Sequence, residues 1–149
     1  MKLTLVLALV FLSVSCNNSS ETSGKAPASH ADSVLADILK SHDTAMAKMM
    51  KIDPTKNKIQ HLIDSISTLS YHLQKSSSEY KRQLDSIFNR LTFANYAMQK
   101  WMDEFNMDTL KANEAEREAY MQSEKLKITK VNELMLNCLQ KADSVLNKK

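Results

Sequence analysis

The sequence predicts an all-α protein: an antiparallel three-helix bundle that follows a signal peptide and a disordered tether. The chain of 149 residues contains one glycine and two prolines, which argues against a turn-rich β protein. The chain is rich in Leu, Lys, Met, Ala, Gln and Glu, which are good helix formers. From Ala31 onward, apolar residues recur in steps of three and four, the spacing of one helix face.

The first 15 residues have the features of a secretory signal peptide. Lys2 supplies a positive charge, Leu3 to Leu12 form an apolar run, and small residues precede Cys16. The run is shorter than the roughly 20 residues that a membrane-spanning helix needs. We therefore predict a signal peptide over 1–15, with cleavage before Cys16.

The residues around Cys16 predict a lipid anchor. Leu12-Ser13-Val14-Ser15-Cys16 resembles the bacterial lipobox, in which the cysteine thiol is acylated and becomes the new N-terminus. The familiar box has leucine three residues before the cysteine, where this chain has Ser13. The alternative is a secreted or uncleaved protein in which Cys16 is incidental. The segment 16–29 has no bulky apolar residue after the cysteine and is predicted to be a flexible tether.

The helical bundle is predicted over residues 30–149, and its first helix carries a long apolar stripe. Pro54 interrupts this stripe, so the pattern allows either one long helix kinked at Pro54 or two helices that meet there. The stripe comprises Leu35, Ile38, His42, Ala45, Met49 and Ile52 before the proline, and Ile59, Leu62, Ile66, Leu69 and Leu73 after it.

Capping signals predict where the other two helices begin. Ser76 followed by Glu79 is a capping-box pattern, so a second helix is expected from about Glu79 to Phe105. Asp108 is expected to cap a third helix, from about Thr109 to Asn147. Glu124 interrupts the apolar stripe of the third helix.

Histidine, methionine and tryptophan side chains are concentrated in two parts of the chain. If the first hairpin folds about Ser77, Met49 lies at the height of Phe105, and the two groups meet at one end of the bundle. The simpler interpretation is core packing, since methionine fills irregular gaps beside aromatic rings. The alternative is a soft-metal site, because thioethers and imidazole favour Cu(I). The candidate metal residues are His42, Met46, Met49, Met98, Met102 and Trp101.

The candidate metal residues, together with others near them and on the third helix, resemble a pattern found in small bacterial lipoproteins labelled "viral A-type inclusion protein". The resemblance implies a helical lipoprotein and no particular activity. Family members usually have proline where this chain has Ala47, and they tend to lack the proline found here at Pro54. The matching residues are His42, Asp43, Met46, Lys48, Met49, Ala94, Asn95, Met98, Trp101, Met102, Phe105, Tyr120, Lys127, Ile128 and Val131.

Motifs for catalysis are missing from the sequence. It contains no glycine-rich phosphate loop, no Cys-x-x-Cys and no His-Glu-x-x-His. We therefore predict a protein that is not an enzyme and has no cofactor, apart from copper in the soft-metal alternative.

Together these features predict a membrane-anchored cell-envelope lipoprotein with a helical binding or scaffold domain. Its partners would be the membrane, through the lipid, and a protein or a second copy of the chain. The alternative is a periplasmic copper-binding or haem-type protein that uses the His/Met/Trp cluster. Basic residues are scattered among acids, so no nucleic-acid partner is expected. Asn17 follows the cysteine without an acidic run, which favours an outer-membrane anchor facing the periplasm.

Overall fold

The structure, a computed structural model, describes residues 29–147. The predicted signal peptide 1–15, Cys16 and all but the last residue of the predicted tether lie outside the described residues. Cleavage before Cys16, acylation of its thiol and the tether therefore stay predictions.

The described part of the chain consists of four helices and contains no strand, which confirms the predicted all-α class. Three of the helices are long and one is a short connecting helix. They are α1 (His30–Ser67), α2 (Tyr71–Ser76), α3 (Ser78–Glu104) and α4 (Glu114–Leu146).

Helix α1 begins with a capping box. The Ser29 hydroxyl accepts a hydrogen bond from the Asp32 amide, and the Asp32 carboxylate accepts one from the Ser29 amide, both at 3.2 Å. The two bonds satisfy backbone donors that have no partner inside the helix. The helix start is therefore defined by local hydrogen bonding.

Helix α1 continues through Pro54, so of the two alternatives the single helix is correct. Proline removes one backbone donor and crowds the carbonyl four residues earlier, which belongs to Met50. Both Pro54 and Met50 are exposed, and the Met50 side chain is 78% accessible. Since this face points to solvent, water can satisfy the Met50 carbonyl and the helix tolerates the proline.

The connection between α1 and α3 differs from the prediction. Helix α1 ends at Ser67, and the short helix α2 follows, so Leu69 and Leu73 are exposed instead of continuing the buried stripe. The predicted capping box at Ser76 is wrong. The Ser76 hydroxyl donates to the Leu73 carbonyl at 2.9 Å, because α2 runs almost directly into α3.

Helix α4 begins five residues later than predicted, at Glu114 instead of Thr109. The Asn113 side chain caps it by accepting from the Glu116 amide at 3.2 Å. Asp108 is not the cap, since its carboxylate pairs with Lys111 at 2.6 Å. Leu110 adopts a positive φ of 58°, which reverses the backbone before the helix starts.

One hydrophobic core is built from the three long helices. Helix α1 supplies isoleucines such as Ile38 and Ile59, α3 supplies Leu91 and Met98, and α4 supplies Met135. Each of these five side chains is fully buried. Because all three helices contribute to one cluster, burial of these side chains stabilises the helices jointly.

The level at which α1 meets α3 also differs from the prediction. The rings of His42 and Trp101 lie 6.0 Å apart, and the Lys56 ammonium lies 5.3 Å from the centre of the Phe88 ring. Both pairs are centred near residue 72, within α2, so the predicted turn about Ser77 is wrong. The early end of α1 moves the turn toward the N-terminus and places His42 at the level of Trp101.

Candidate functional site

The predicted His/Met/Trp cluster is brought together in part. His42 and Trp101 are neighbours, with ring centres 6.0 Å apart and planes inclined at 38°. The His42 Nδ1 atom lies 3.2 Å from a carboxylate oxygen of Asp43, and its side chain is 29% exposed. Met98 is fully buried, so it belongs to the core.

The remaining methionines, Met46, Met49 and Met102, are half-buried and pack against the core. This packing fits the simpler interpretation, in which methionine fills gaps beside aromatic rings. Within residues 29–147, no group of three or more His, Cys, Asp or Glu side chains is placed to hold a metal ion. The role of the six residues as metal ligands stays a prediction.

Trp101 belongs to a row of aromatic rings. It stacks on Phe105 at 4.9 Å with an interplanar angle of 15°, and the Phe105 ring is nearly parallel to that of Tyr120 at 6.5 Å. The Tyr120 hydroxyl accepts a hydrogen bond from the Asn106 amide at 2.9 Å. The row therefore connects the end of α3 and the loop after it to α4.

A buried carboxylate completes this end of the molecule. Glu124 is 3% exposed, and one of its oxygens accepts a hydrogen bond from the Trp101 indole N–H at 3.0 Å. Its other oxygen accepts from the Lys127 ammonium at 2.7 Å, and this bond raises the pKa of Lys127. The carboxylate therefore has a donor on each oxygen, as a buried charge requires.

Sequence reasoning missed the role of Glu124. The sequence feature that could have indicated this role is the position of Glu124, an acid within the apolar stripe of the third helix. An acid at a core position needs a donor close by, and Trp101 has an indole N–H that requires an acceptor when buried. The sequence does not give the position of α3 relative to α4, so it could not show that Trp101 donates to Glu124.

A second polar cluster joins the starts of α1 and α4. Arg117 is 7% exposed and contacts a carboxylate oxygen of Asp32 at 2.7 Å. This hydrogen bond is the main cause that holds the pKa of Asp32 below its ordinary value, and it raises the pKa of Arg117. The Arg117 Nε atom is buried and has no hydrogen-bond partner among the described residues.

We expect this pair to make stability depend on acidity. Because the pKa of Asp32 is lower in the folded chain than its ordinary value of 3.8, its stabilising effect is present above that value and is lost as the pH falls through the folded-state pKa. The variant Asp32→Asn should flatten the acid limb of a plot of unfolding free energy against pH. Urea unfolding at a series of pH values measures this, with Asp103→Asn as an exposed control. An unchanged acid limb in Asp32→Asn would contradict the expectation.

Two shallow grooves lie along the junction of α3 and α4, which we call the α3–α4 seam. One has a volume of about 380 Å³, and its charged lining residues are Glu79, Arg82, Arg90 and Lys141. The other has a volume of about 430 Å³, and its lining includes Phe93, Tyr96, Lys100 and Lys127. Both grooves are open to solvent, so they present a surface for a partner.

No helix within residues 29–147 combines the length and the apolar composition needed to span a lipid bilayer. The described residues therefore form an all-helical protein with two polar clusters, at Glu124 and at Arg117, and with two open grooves along the α3–α4 seam. The model of the PRP38 family matches residues 44–146, which is more than half of the chain. The chain therefore belongs to the PRP38 family. No curated protein and no solved structure shows a match.

This family membership corrects several predictions. The predicted relationship to lipoproteins labelled "viral A-type inclusion protein" is wrong, because the matching family is PRP38. The predicted function, a membrane-anchored envelope lipoprotein or, as the alternative, a periplasmic copper or haem-type protein, is contradicted by the same match.

The predicted partners and location are corrected on the same ground. PRP38 is a family associated with nucleic acid and the spliceosome, which conflicts with a membrane partner and with the exclusion of nucleic acid. It is also a nuclear family, which contradicts the outer-membrane location. These predictions rested on the first 16 residues, whereas the family model matches the helical region 44–146.

Proposed function

We propose that this chain is a non-catalytic, helical component of the splicing machinery. The family match carries the proposal, because it extends over residues 44–146 and so includes most of α1 and all of α2, α3 and α4. PRP38 is a spliceosome-associated family. In this role the chain contributes binding surfaces to a ribonucleoprotein assembly and performs no reaction of its own.

We also infer that the three long helices form an antiparallel three-helix bundle. Contacts between α3 and α4 support this arrangement. Trp101 contacts Glu124, while Cys138 lies 3.7 Å from the carbonyl oxygen of Arg90. Since the residue number falls along α3 as it rises along α4, these two helices run in opposite directions.

Contacts of α1 and α4 support the same topology. Asp32 pairs with Arg117 and Asp37 pairs with Lys125, at 2.7 Å and 2.6 Å. The numbers rise together along both helices, so α1 and α4 run in the same direction. An up-down-up chain requires this relationship between its first and third long helices.

The proposed function is tested in cells that express the chain naturally. An epitope-tagged full-length chain should sediment in a gradient with particles that contain small nuclear RNA. Depletion of the chain should increase the fraction of unspliced transcripts, measured by RNA sequencing. Sedimentation as a free chain together with unchanged splicing would rule the proposal out.

Two variants make this experiment specific. Rescue of the depleted cells with Leu126→Ala should restore splicing, because Leu126 is 64% exposed and lies outside the seam. Rescue with Trp101→Ala should fail, because Trp101 is buried and holds Glu124. Equal rescue by both variants would show that the folded bundle is not what the splicing machinery uses.

A further inference from the structure

We propose that the α3–α4 seam binds single-stranded RNA, with bases stacked on Phe93 and Tyr96 and phosphates held by the basic residues on either side. This inference rests on the proposed function, because it names the ligand of a splicing component. It goes beyond the proposed function because it assigns RNA binding to one surface, the α3–α4 seam, and specifies that the RNA is single-stranded.

The charge of the seam favours a polyanion. Its lining contains five basic side chains and only two acidic ones, Glu79 and Glu104. The basic residues are Arg82, Arg90, Lys100, Lys127 and Lys141. Residues 79–104 of α3 extend over about 38 Å at 1.5 Å per residue, so the basic side chains follow an elongated path. A linear chain of phosphates matches such a path.

Three of these cations already have a carboxylate partner. Arg82 pairs with Glu79, Lys100 pairs with Glu104 at 3.0 Å, and the third, Lys127, binds Glu124. The first two pairs are solvent-exposed, and such pairs contribute little free energy, so a phosphate can compete for the cations.

Arg90 and Lys141 differ from the other cations of the seam. Both are exposed, and neither forms an ion pair with any residue in the range 29–147. They line the same groove from opposite helices, with Arg90 on α3 and Lys141 on α4. These two side chains are therefore the strongest candidates for phosphate contacts.

The aromatic residues of the seam favour unpaired bases. Phe93 is 59% exposed and Tyr96 is 56% exposed, and both line the second groove. Their spacing of three residues places them on one face of α3. Exposed aromatic rings beside basic side chains are the arrangement that binds single strands, because every base has a face that can stack. A duplex keeps its bases stacked internally and could use only the cations.

The test uses the full-length chain and a fluorescein-labelled oligouridine of about 12 nucleotides, within the known range of single-strand site sizes. Fluorescence anisotropy should show binding that weakens as salt increases. The double variant Phe93→Ala/Tyr96→Ala should weaken binding at least about 10-fold, as expected for the loss of stacking. The double variant Arg90→Ala/Lys141→Ala should reduce the steepness of the log–log salt dependence by about 1.4, or about 0.7 for each phosphate contact.

Matched controls use residues of the same type outside the seam. Tyr71→Ala removes an aromatic ring that is 81% exposed, and Lys130→Ala removes an exposed lysine of α4. Both should bind the oligonucleotide like the unmodified chain, and circular dichroism should show the same helix content in every variant. If the controls lose as much affinity as the seam variants, the assignment of the surface is overturned.

A duplex RNA of the same length separates stacking from simple charge attraction. Weaker binding of the duplex supports the proposal, and equal binding overturns it. Absence of oligonucleotide binding in a chain that still sediments with splicing particles would overturn this inference and leave the proposed function standing. Binding of the oligonucleotide by a chain that associates with no such particle would overturn the proposed function instead.

Discussion

Replacing Trp101 with alanine is expected to lower the free energy of unfolding by about 3–5 kcal/mol. Trp101 is 5% exposed and stacks on Phe105, so the substitution leaves a cavity in the core that the three long helices share. It also removes the hydrogen bond to Glu124, whose carboxylate is 3% exposed. A buried acceptor that loses its donor adds to the cost of the cavity.

Urea unfolding followed by circular dichroism measures this effect, since the variant has no tryptophan to report by fluorescence. The control is Tyr71→Ala, which removes an aromatic ring that is 81% exposed and should change stability by less than about 0.5 kcal/mol. A loss below about 1 kcal/mol for Trp101→Ala would mean that the ring is not packed as described. The double variant Trp101→Phe/Glu124→Leu should retain more stability than Trp101→Phe alone, because in the single variant the buried Glu124 oxygen that accepted from the indole has lost its donor, although Lys127 still binds the other oxygen.

The second large effect is expected at Leu91, a fully buried residue of α3. Leu91→Ala should cost about 2–5 kcal/mol, because it removes buried methyl groups and leaves a cavity in the core shared by α1, α3 and α4. Urea unfolding provides the measurement. Since domains of this size are stable by only about 5–15 kcal/mol, the midpoint of unfolding should fall clearly.

Leu126→Ala is the matched control, since it makes the same chemical change at a position that is 64% exposed. It should shift stability by less than about 0.5 kcal/mol. Similar losses in the two variants would contradict the assignment of Leu91 to the core and of Leu126 to the surface. Cooperative loss of all helical signal in Leu91→Ala would also show that the three helices share one core.

Much of the core could be predicted from the spacing of apolar residues. On α3, the apolar residues that recur in steps of three and four from Leu84 to Trp101 are all buried: Leu84, Ile87, Leu91, Ala94, Met98 and Trp101. On α4, the apolar residues at the same spacing, Met121, Ile128, Met135, Cys138 and Ala142, are also buried, and Val131 is half-buried. Periodicity predicts such faces well, because the 3.6-residue repeat of the helix fixes which side chains share a face.

The ends of the helices, and the level at which α1 meets α3, were predicted less well. The Ser76 capping pattern is present in the sequence, but the chain uses a cap only where the neighbouring backbone leaves donors free. At the end of α2, the Ser76 hydroxyl and the Ser77 amide both donate to the Leu73 carbonyl, whereas the Ser29 and Asn113 side chains accept from backbone amides and act as caps. The displaced turn then places His42 at the level of Trp101, while Met49 is not opposite Phe105.

The candidate site could be predicted only in part for a related reason. Phe93, Tyr96 and the basic residues near them are present in the sequence, but their exposure and their alignment with Lys127 and Lys141 depend on how α4 lies against α3. The scattered order of basic and acidic residues suggested no nucleic-acid surface. Residues far apart along the chain become one basic seam when the two helices pack together.

The helical class of the chain and the apolar faces of its helices follow from residue order, because propensity and periodicity are local properties. Which residues meet between helices follows only from how the helices pack. This packing pairs Trp101 with Glu124 and Arg117 with Asp32, and it places Arg90 beside Lys141 in one groove. The physical reason is that these contacts depend on the relative height and rotation of whole helices, which the packing of one shared core sets.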